Sequence, residues 1–223
     1  MYKVLFIDEE QETFDYFNDY VDHSSTKDVI EVITQYPLED LDDMIQFILK
    51  TNPDAIITDF MLNDIKEDIK YNVPYNGVEL MEKFLQIREA FPFFVLTSFD
   101  DLAVNESDDV NKIYIKNLLH NKEETKAKAT FLDRVVCQIV NYKSKIDNYE
   151  NELLRLIELR KEGNASIDIE KRIIELDDLL EKAIDRRSVI PIEFKELSNF
   201  KSLEQMLSKV DELINKVDKE NGK

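Results

Sequence analysis

The sequence predicts an α/β domain over residues 1–122, a five-stranded parallel doubly wound sheet with helices on both faces. An all-α region, an antiparallel helical hairpin or coiled coil, follows over residues 123–223. Three observations predict this. Short apolar runs, each closed by a polar or charged residue, alternate with amphipathic stretches through the first half. The formal net charge of −19 is divided unevenly: residues 1–122 hold 26 Asp and Glu against 10 Lys and Arg, and the remainder 22 against 19. From about residue 123 the apolar residues change to an alternating spacing of four and three, the signature of a helical seam.

The elements follow in order. Residues 2–7 are β-branched and apolar and release the acidic run Asp8-Glu9-Glu10, as a buried strand would at its carboxyl end. Phe14, Phe17 and Val21 mark an amphipathic helix over residues 11–22. Residues 29–33 form a second strand, and Leu41, Met44, Ile45 and Ile48 mark a helix over residues 38–49. The turn Asn52-Pro53-Asp54 then leads into Ala55-Ile56-Ile57-Thr58, which is too short for a helix and apolar enough to be buried on both faces. This third strand delivers Asp59 at its end. Residues 62–76 are polar, contain Pro74 and Asn76-Gly77, and read as a long loop. Leu80, Met81, Phe84, Leu85 and Ile87 mark a helix over residues 78–90. Phe93 to Leu96 form a fourth strand ending in Thr97, and residues 112–115 a fifth ending in Lys116. Between them Asp100, Asp101, Glu106, Asp108 and Asp109 read as a solvated face.

In the second half, Val135, Ile139, Tyr142, Ile146, Tyr149, Leu153 and Leu156 make one seam. Gly163-Asn164 ends it, and Ile169, Ile173, Leu176, Leu180 and Ala183 make another. Pro191 breaks the pattern before a third run, Leu203, Leu207, Val210, Ile214 and Val217. Amphipathic seams must bury against one another or against a second chain, so both self-packing and a homodimer through this region fit the pattern.

Composition excludes several classes. A chain this acidic repels phosphate backbones, and no basic face offsets that, so DNA is not an expected partner. No apolar run approaches the ~18 residues of a membrane helix. The chain opens on a strand-like run, with no basic segment leading into an apolar one, so no secretion signal is expected. The single cysteine, Cys137, suits a reducing compartment, and a cytoplasmic location is the expectation. Within an amphipathic helix, Cys137 reads as a packed core thiol. His23 and His120 have no acid or nucleophile at a useful spacing and read as surface residues.

The chemistry lies at the strand ends. If the sheet is parallel, Asp8, Glu9, Asp59, Thr97 and Lys116 converge on one edge, the edge where open α/β sheets place ligands. Clustered carboxylates raise one another's pKa unless a cation sits among them. Oxygen-only ligands without His or Cys point to a hard ion such as Mg²⁺. A lysine and a hydroxyl beside such an ion point to a phosphoryl group. Taken singly, Asp59 could instead cap a loop, Asp8-Glu9 form a solvated turn and Lys116 lie on the surface.

Five segments, in order, resemble the receiver domains of two-component response regulators. They are Val4-Leu5-Phe6-Ile7-Asp8-Glu9-Glu10, the stretch from Pro53 to Leu62, Asn76-Gly77-Val78-Glu79-Leu80, the stretch from Pro92 to Ser98, and Ile113-Tyr114-Ile115-Lys116. The resemblance covers residues 1 to about 122. It implies a flavodoxin-like domain in which Asp59 accepts a phosphoryl group from a histidine kinase or phosphotransfer protein. It also implies that Asp8, Glu9, Asp59 and the Met61 backbone carbonyl hold Mg²⁺, while Thr97 and Lys116 contact the phosphoryl oxygens. Four departures stand out: Glu9 replaces the usual aspartate ligand, Asn63 and Asn117 replace prolines, and the loop from Asp59 to Gly77 is longer than the family's. The position of the family's switch aromatic holds Ile113, and Tyr114, displaced by one, is expected on the opposite face of the strand.

Two functional readings follow. The first is a response regulator, not an enzyme, whose output is contact between the helical half and a downstream protein. The second is a receiver-derived structural or adaptor protein that is not phosphorylated.

Overall fold

In the computed structural model, the described residues are 1–62, 69–98, 110–116, 130–164, 166–192 and 195. They divide into two compact units, Met1–Lys145 and Ile146–Lys223. The boundary expected after residue 122, the acidic face from Asp100 to Asp109, the third seam, Asn63, Asn117 and His120 lie outside the described residues.

The first unit is built on five parallel strands, β1 (Tyr2–Ile7), β2 (Ile30–Gln35), β3 (Ala55–Asp59), β4 (Phe93–Thr97) and β5 (Ile113–Ile115), in the order β2-β1-β3-β4-β5. The central strand β3 is buried along its whole length, and so is β4, which explains their unbroken apolar character. Alternation along each strand feeds two cores. Leu5, Ile7, Ile56 and Val95 pack with Met44, Ile45 and Ile48 of α2 (Leu41–Thr51) and Leu80, Met81 and Phe84 of α3 (Gly77–Ile87). Val4, Phe6, Ile57, Phe94 and Leu96 pack on the other face with Phe14, Phe17 and Val21 of α1 (Gln11–Asp22) and with Phe131, Leu132, Val135 and Ile139 of α4 (Phe131–Lys161). This is the doubly wound, flavodoxin-like arrangement.

Local chemistry sets the ends of the elements. The Asp40 carboxylate accepts from the amides of Asp42 and Asp43 to start α2. Asn52 ends α2 in the left-handed region, which asparagine tolerates better than most residues, and Pro53 follows. The Asn76-Gly77 pair, read from the sequence as loop, is the N-cap and first residue of α3. The Asn76 side chain accepts from Val78 and Glu79 amides and the Glu79 carboxylate accepts from the Asn76 amide, a capping box.

Three expectations are corrected. Val135 and Ile139, assigned to a seam, are buried in the second sheet core. Cys137 is exposed, not packed. At about 100° per residue it lies some 200° around α4 from Val135, on the side away from that core. The segment after Asp59 is not uniformly polar surface, since Leu62, Val73 and Tyr75 are buried in the first core and Ile69 is buried as well. As expected, Ile113 and Tyr114 serve opposite faces: Ile113 packs on the first core, and Tyr114 lies against Phe94 and Phe131 on the second.

Within the second unit, α4 ends at Gly163, whose φ of +80° is the left-handed conformation glycine adopts without cost. The Asn164 amide reaches back to the Leu159 carbonyl and the Gly163 amide to that of Arg160, closing the helix end. The Ser166 hydroxyl then caps α5 (Ile167–Asp185). Ion pairs from Arg160 to Glu170 and from Arg172 to Glu152 run in antiparallel order, as a hairpin requires. Ile173, Leu176 and Leu180 of the second seam are buried. Among the described residues no helix is long and apolar enough to cross a membrane.

Candidate functional site

The parallel register brings the expected residues to one edge. Ile7 pairs with Thr58, so the next residues, Asp8 and Asp59, leave neighbouring strands side by side. Asp59 in turn pairs with Leu96, and Thr97 with Ile115, which places Thr97 and Lys116 at the same carboxyl end. Asp8, Glu9, Asp59 and Thr97 are all buried. One oxygen from each of Asp8, Glu9 and Asp59 lies within 4.8 Å of the others. Lys116 Nζ sits 2.8 Å from Asp8 Oδ2 and 3.1 Å from Asp59 Oδ1. The Met61 amide donates to Asp59 Oδ2 at 3.1 Å and the Glu10 amide to Asp8 Oδ1 at 3.0 Å, which orients both carboxylates.

Three carboxylates and one lysine leave the cluster short of positive charge. Burial, then the charges of Asp59 and Asp8, push the Glu9 carboxyl up to about 8. Asp8 rises to about 6, mainly through burial, with Lys116 pulling the other way. Asp59 is also raised by burial against the pull of Lys116 and the amides of Met61 and Phe60. Burial works against the charged form of Lys116, but attraction to Asp59 and Asp8 outweighs it and holds the lysine above its ordinary value. Among the described residues Glu9 Oε2 is buried without a hydrogen-bond partner. Asp8 Oδ2 also lacks an aligned hydrogen bond, although Lys116 lies at ion-pair distance; the short separation makes Lys116 its electrostatic partner nonetheless. A buried orphan carboxylate oxygen in an oxygen-only cluster of surplus negative charge fits a hard divalent cation, so the triad could bind a metal.

Sequence reasoning missed two features of this edge. A Cβ on Gly77 would lie 2.0 Å from the Asp59 carbonyl oxygen and 2.9 Å from Thr58 Cγ2, so only glycine lets α3 start this close to Asp59. The Gly77 amide donates to the Phe60 carbonyl at 2.9 Å. The second is the segment 69–75, where Ile69, Val73 and Tyr75 are buried and Lys70, Tyr71, Asn72 and Pro74 are exposed. Apolar residues recur at every second position from Ile69 to Tyr75 in the sequence, but the exposure of Tyr71 breaks that period in the structure.

No family model matches the chain, and no curated protein matches it in sequence. Among solved structures, the anti-anti-sigma factor PhyR from Bartonella quintana is similar over 66% of this chain and 50% of its own, with a TM-score of 0.41 and 12% identity. The chain therefore spans half the length of that neighbour. RcsB from Salmonella enterica serovar Typhimurium, in a structure bound to promoter P1flhDC in the presence of the phosphomimetic BeF3−, is similar over 82% of this chain and 91% of its own, with a TM-score of 0.39 and 16% identity. Independently of these likenesses, five parallel strands in the order β2-β1-β3-β4-β5 with helices on both faces fit the receiver arrangement. The functional reading rests on the site.

Proposed function

We propose that this chain is a phosphoryl-accepting response regulator whose switch is Asp59. The observation that carries the reading is the pairing of Lys116, from the end of β5, with both Asp8 and Asp59, from the ends of β1 and β3, inside a buried acidic triad. In the transfer, an Asp59 carboxylate oxygen attacks the phosphorus of a phosphohistidine donor. The P–N bond breaks, the imidazole leaves with the electron pair and takes up a proton, and an acyl phosphate remains on Asp59. Lys116 pulls against the burial that favours protonated Asp59, and then takes up charge on the phosphoryl oxygens. The Met61 amide aims the carboxylate, and Thr97, at the carboxyl end of β4, would offer its hydroxyl to a phosphoryl oxygen. Asp8, Glu9, Asp59 and the Met61 carbonyl would hold Mg²⁺, which, when bound, supplies the positive charge that lets crowded carboxylates and a phosphoryl group coexist. The chain acts as a switch with protein partners, a phosphodonor and a downstream protein reached through the helical half, and not as a turnover enzyme.

The test is incubation of the full chain with acetyl phosphate and Mg²⁺, followed by intact mass. The expected result is one phosphoryl adduct, absent in Asp59→Ala. No adduct on the native protein, or an undiminished adduct in the variant, would leave the chain as an unphosphorylated adaptor on the same scaffold.

A further inference from the structure

The Tyr71 and Tyr75 hydroxyls donate at 2.7 Å to consecutive backbone carbonyls, those of Pro37 and Leu38, in the connection between β2 and α2. That connection belongs to the site's edge, because the Asp8 amide donates to the Gln35 carbonyl at its start. Tyr75 is buried, while Tyr71 is 39% exposed. Burial pushes the Tyr75 phenol well above its ordinary value, so it remains a donor. The two residues after Tyr75 leave no slack: Asn76 is locked in the capping box of α3, and Gly77 lies against the Asp59 carbonyl with its amide on Phe60. A displacement of Tyr75 therefore passes directly to the Asp59–Met61 backbone. That backbone carries the carboxylate, the amide that aims it and the Met61 carbonyl.

We infer that Tyr71 and Tyr75 are positioning residues, a clasp that anchors the chain after Asp59 to the β2–α2 connection and sets the Asp59–Met61 backbone relative to Asp8. The clasp joins the segment leading into α3 to the connection that follows Gln35, whose carbonyl accepts from the Asp8 amide. Its catalytic meaning rests on the phosphoryl-acceptor reading above; its structural claim does not.

The experiment uses the full chain as Tyr75→Phe and as the double variant Tyr71→Phe/Tyr75→Phe, below the melting temperature. Mg²⁺ affinity is measured by calorimetry and amide hydrogen exchange by NMR. Losing a buried hydroxyl donor is worth about a fivefold change in an equilibrium constant. The expected result is Mg²⁺ binding about fivefold weaker, with exchange at the Met61 and Gly77 amides faster by a similar factor and amides of β1 and α1 unchanged. Tyr16→Phe, which removes an exposed hydroxyl bonded to Glu12, should change none of these. Exchange at Met61 and Gly77 and Mg²⁺ affinity both within twofold of wild type in the double variant would overturn the clasp. So would a uniform rise in exchange across the whole sheet. If the double variant does not fold, Tyr71→Phe alone carries the test, with faster Gly77 exchange supporting the clasp and unchanged exchange overturning it. A wild-type protein that binds no Mg²⁺ would count against the phosphoryl-acceptor reading, while the exchange data would still decide the clasp.

Discussion

Replacing Glu9 by glutamine removes one charge from the buried triad at nearly constant size. Burial, with Asp59 and Asp8 nearby, raises the Glu9 carboxyl from 4.5 to about 8. The folded chain therefore keeps a proton that the unfolded chain has released, and the sign follows from linkage. The stabilisation from this group is complete below about pH 4.5, where both states are protonated, and is lost as the pH rises through about 8. At about 1.4 kcal/mol per pH unit the full effect is about 5 kcal/mol, of which about 3.5 kcal/mol falls between pH 5 and pH 8. Screening by water at the rim brings the expectation to roughly 2 kcal/mol. The assay is urea unfolding followed by circular dichroism at about pH 5 and about pH 8, in EDTA and in Mg²⁺, for wild type and Glu9→Gln. Wild type should lose roughly 2 kcal/mol more than the variant on going to the higher pH. Mg²⁺ at about ten times its dissociation constant should restore about 1.4 kcal/mol to wild type and much less to the variant. Parallel pH profiles for the two proteins in EDTA would refute the account of a strained, cation-seeking triad.

Other consequences follow from the same geometry. Gly77→Ala forces a methyl group into the Asp59 carbonyl and should cost about 1–3 kcal/mol, read as a lower urea midpoint with an unchanged slope. An unchanged midpoint would show that the close approach is not obligatory. Lys116→Met leaves the carboxylates without their buried cation and should destabilise by about 3 kcal/mol near pH 8, and by less near pH 5, where protonation relieves the repulsion. Equal losses at both pH values would count against the ion pairs. Asp59→Asn should abolish the phosphoryl adduct and the thermal stabilisation by Mg²⁺ together, measured by mass and by melting temperature; loss of only one would separate metal binding from the phosphoacceptor.

Much of the edge was legible because parallel strands buried on both faces must be short apolar runs, and whatever ends them is delivered to the same rim. Asp8, Asp59, Thr97 and Lys116 could be aligned from that rule alone. The clasp was not legible, because its hydrogen bonds join residues 34 and 37 positions apart, onto backbone carbonyls that carry no sequence signal. The fate of Val135 and Ile139 was hidden for a different reason. An apolar stripe along a helix states that a face is buried, not what buries it, and here the sheet competes with a helical partner for the start of α4.

By itself, then, the sequence determined the alternation of strands and helices, the acidic first half, the helical second half and the residues that end each strand. These depend on local periodicity and composition. Only the tertiary structure decided that Lys116 pairs with both aspartates, that Glu9 is left with an orphan buried oxygen, and that Gly77 and the two tyrosines brace Asp59. Those are distances between segments far apart in the chain, set by sheet register and by the packing of α3.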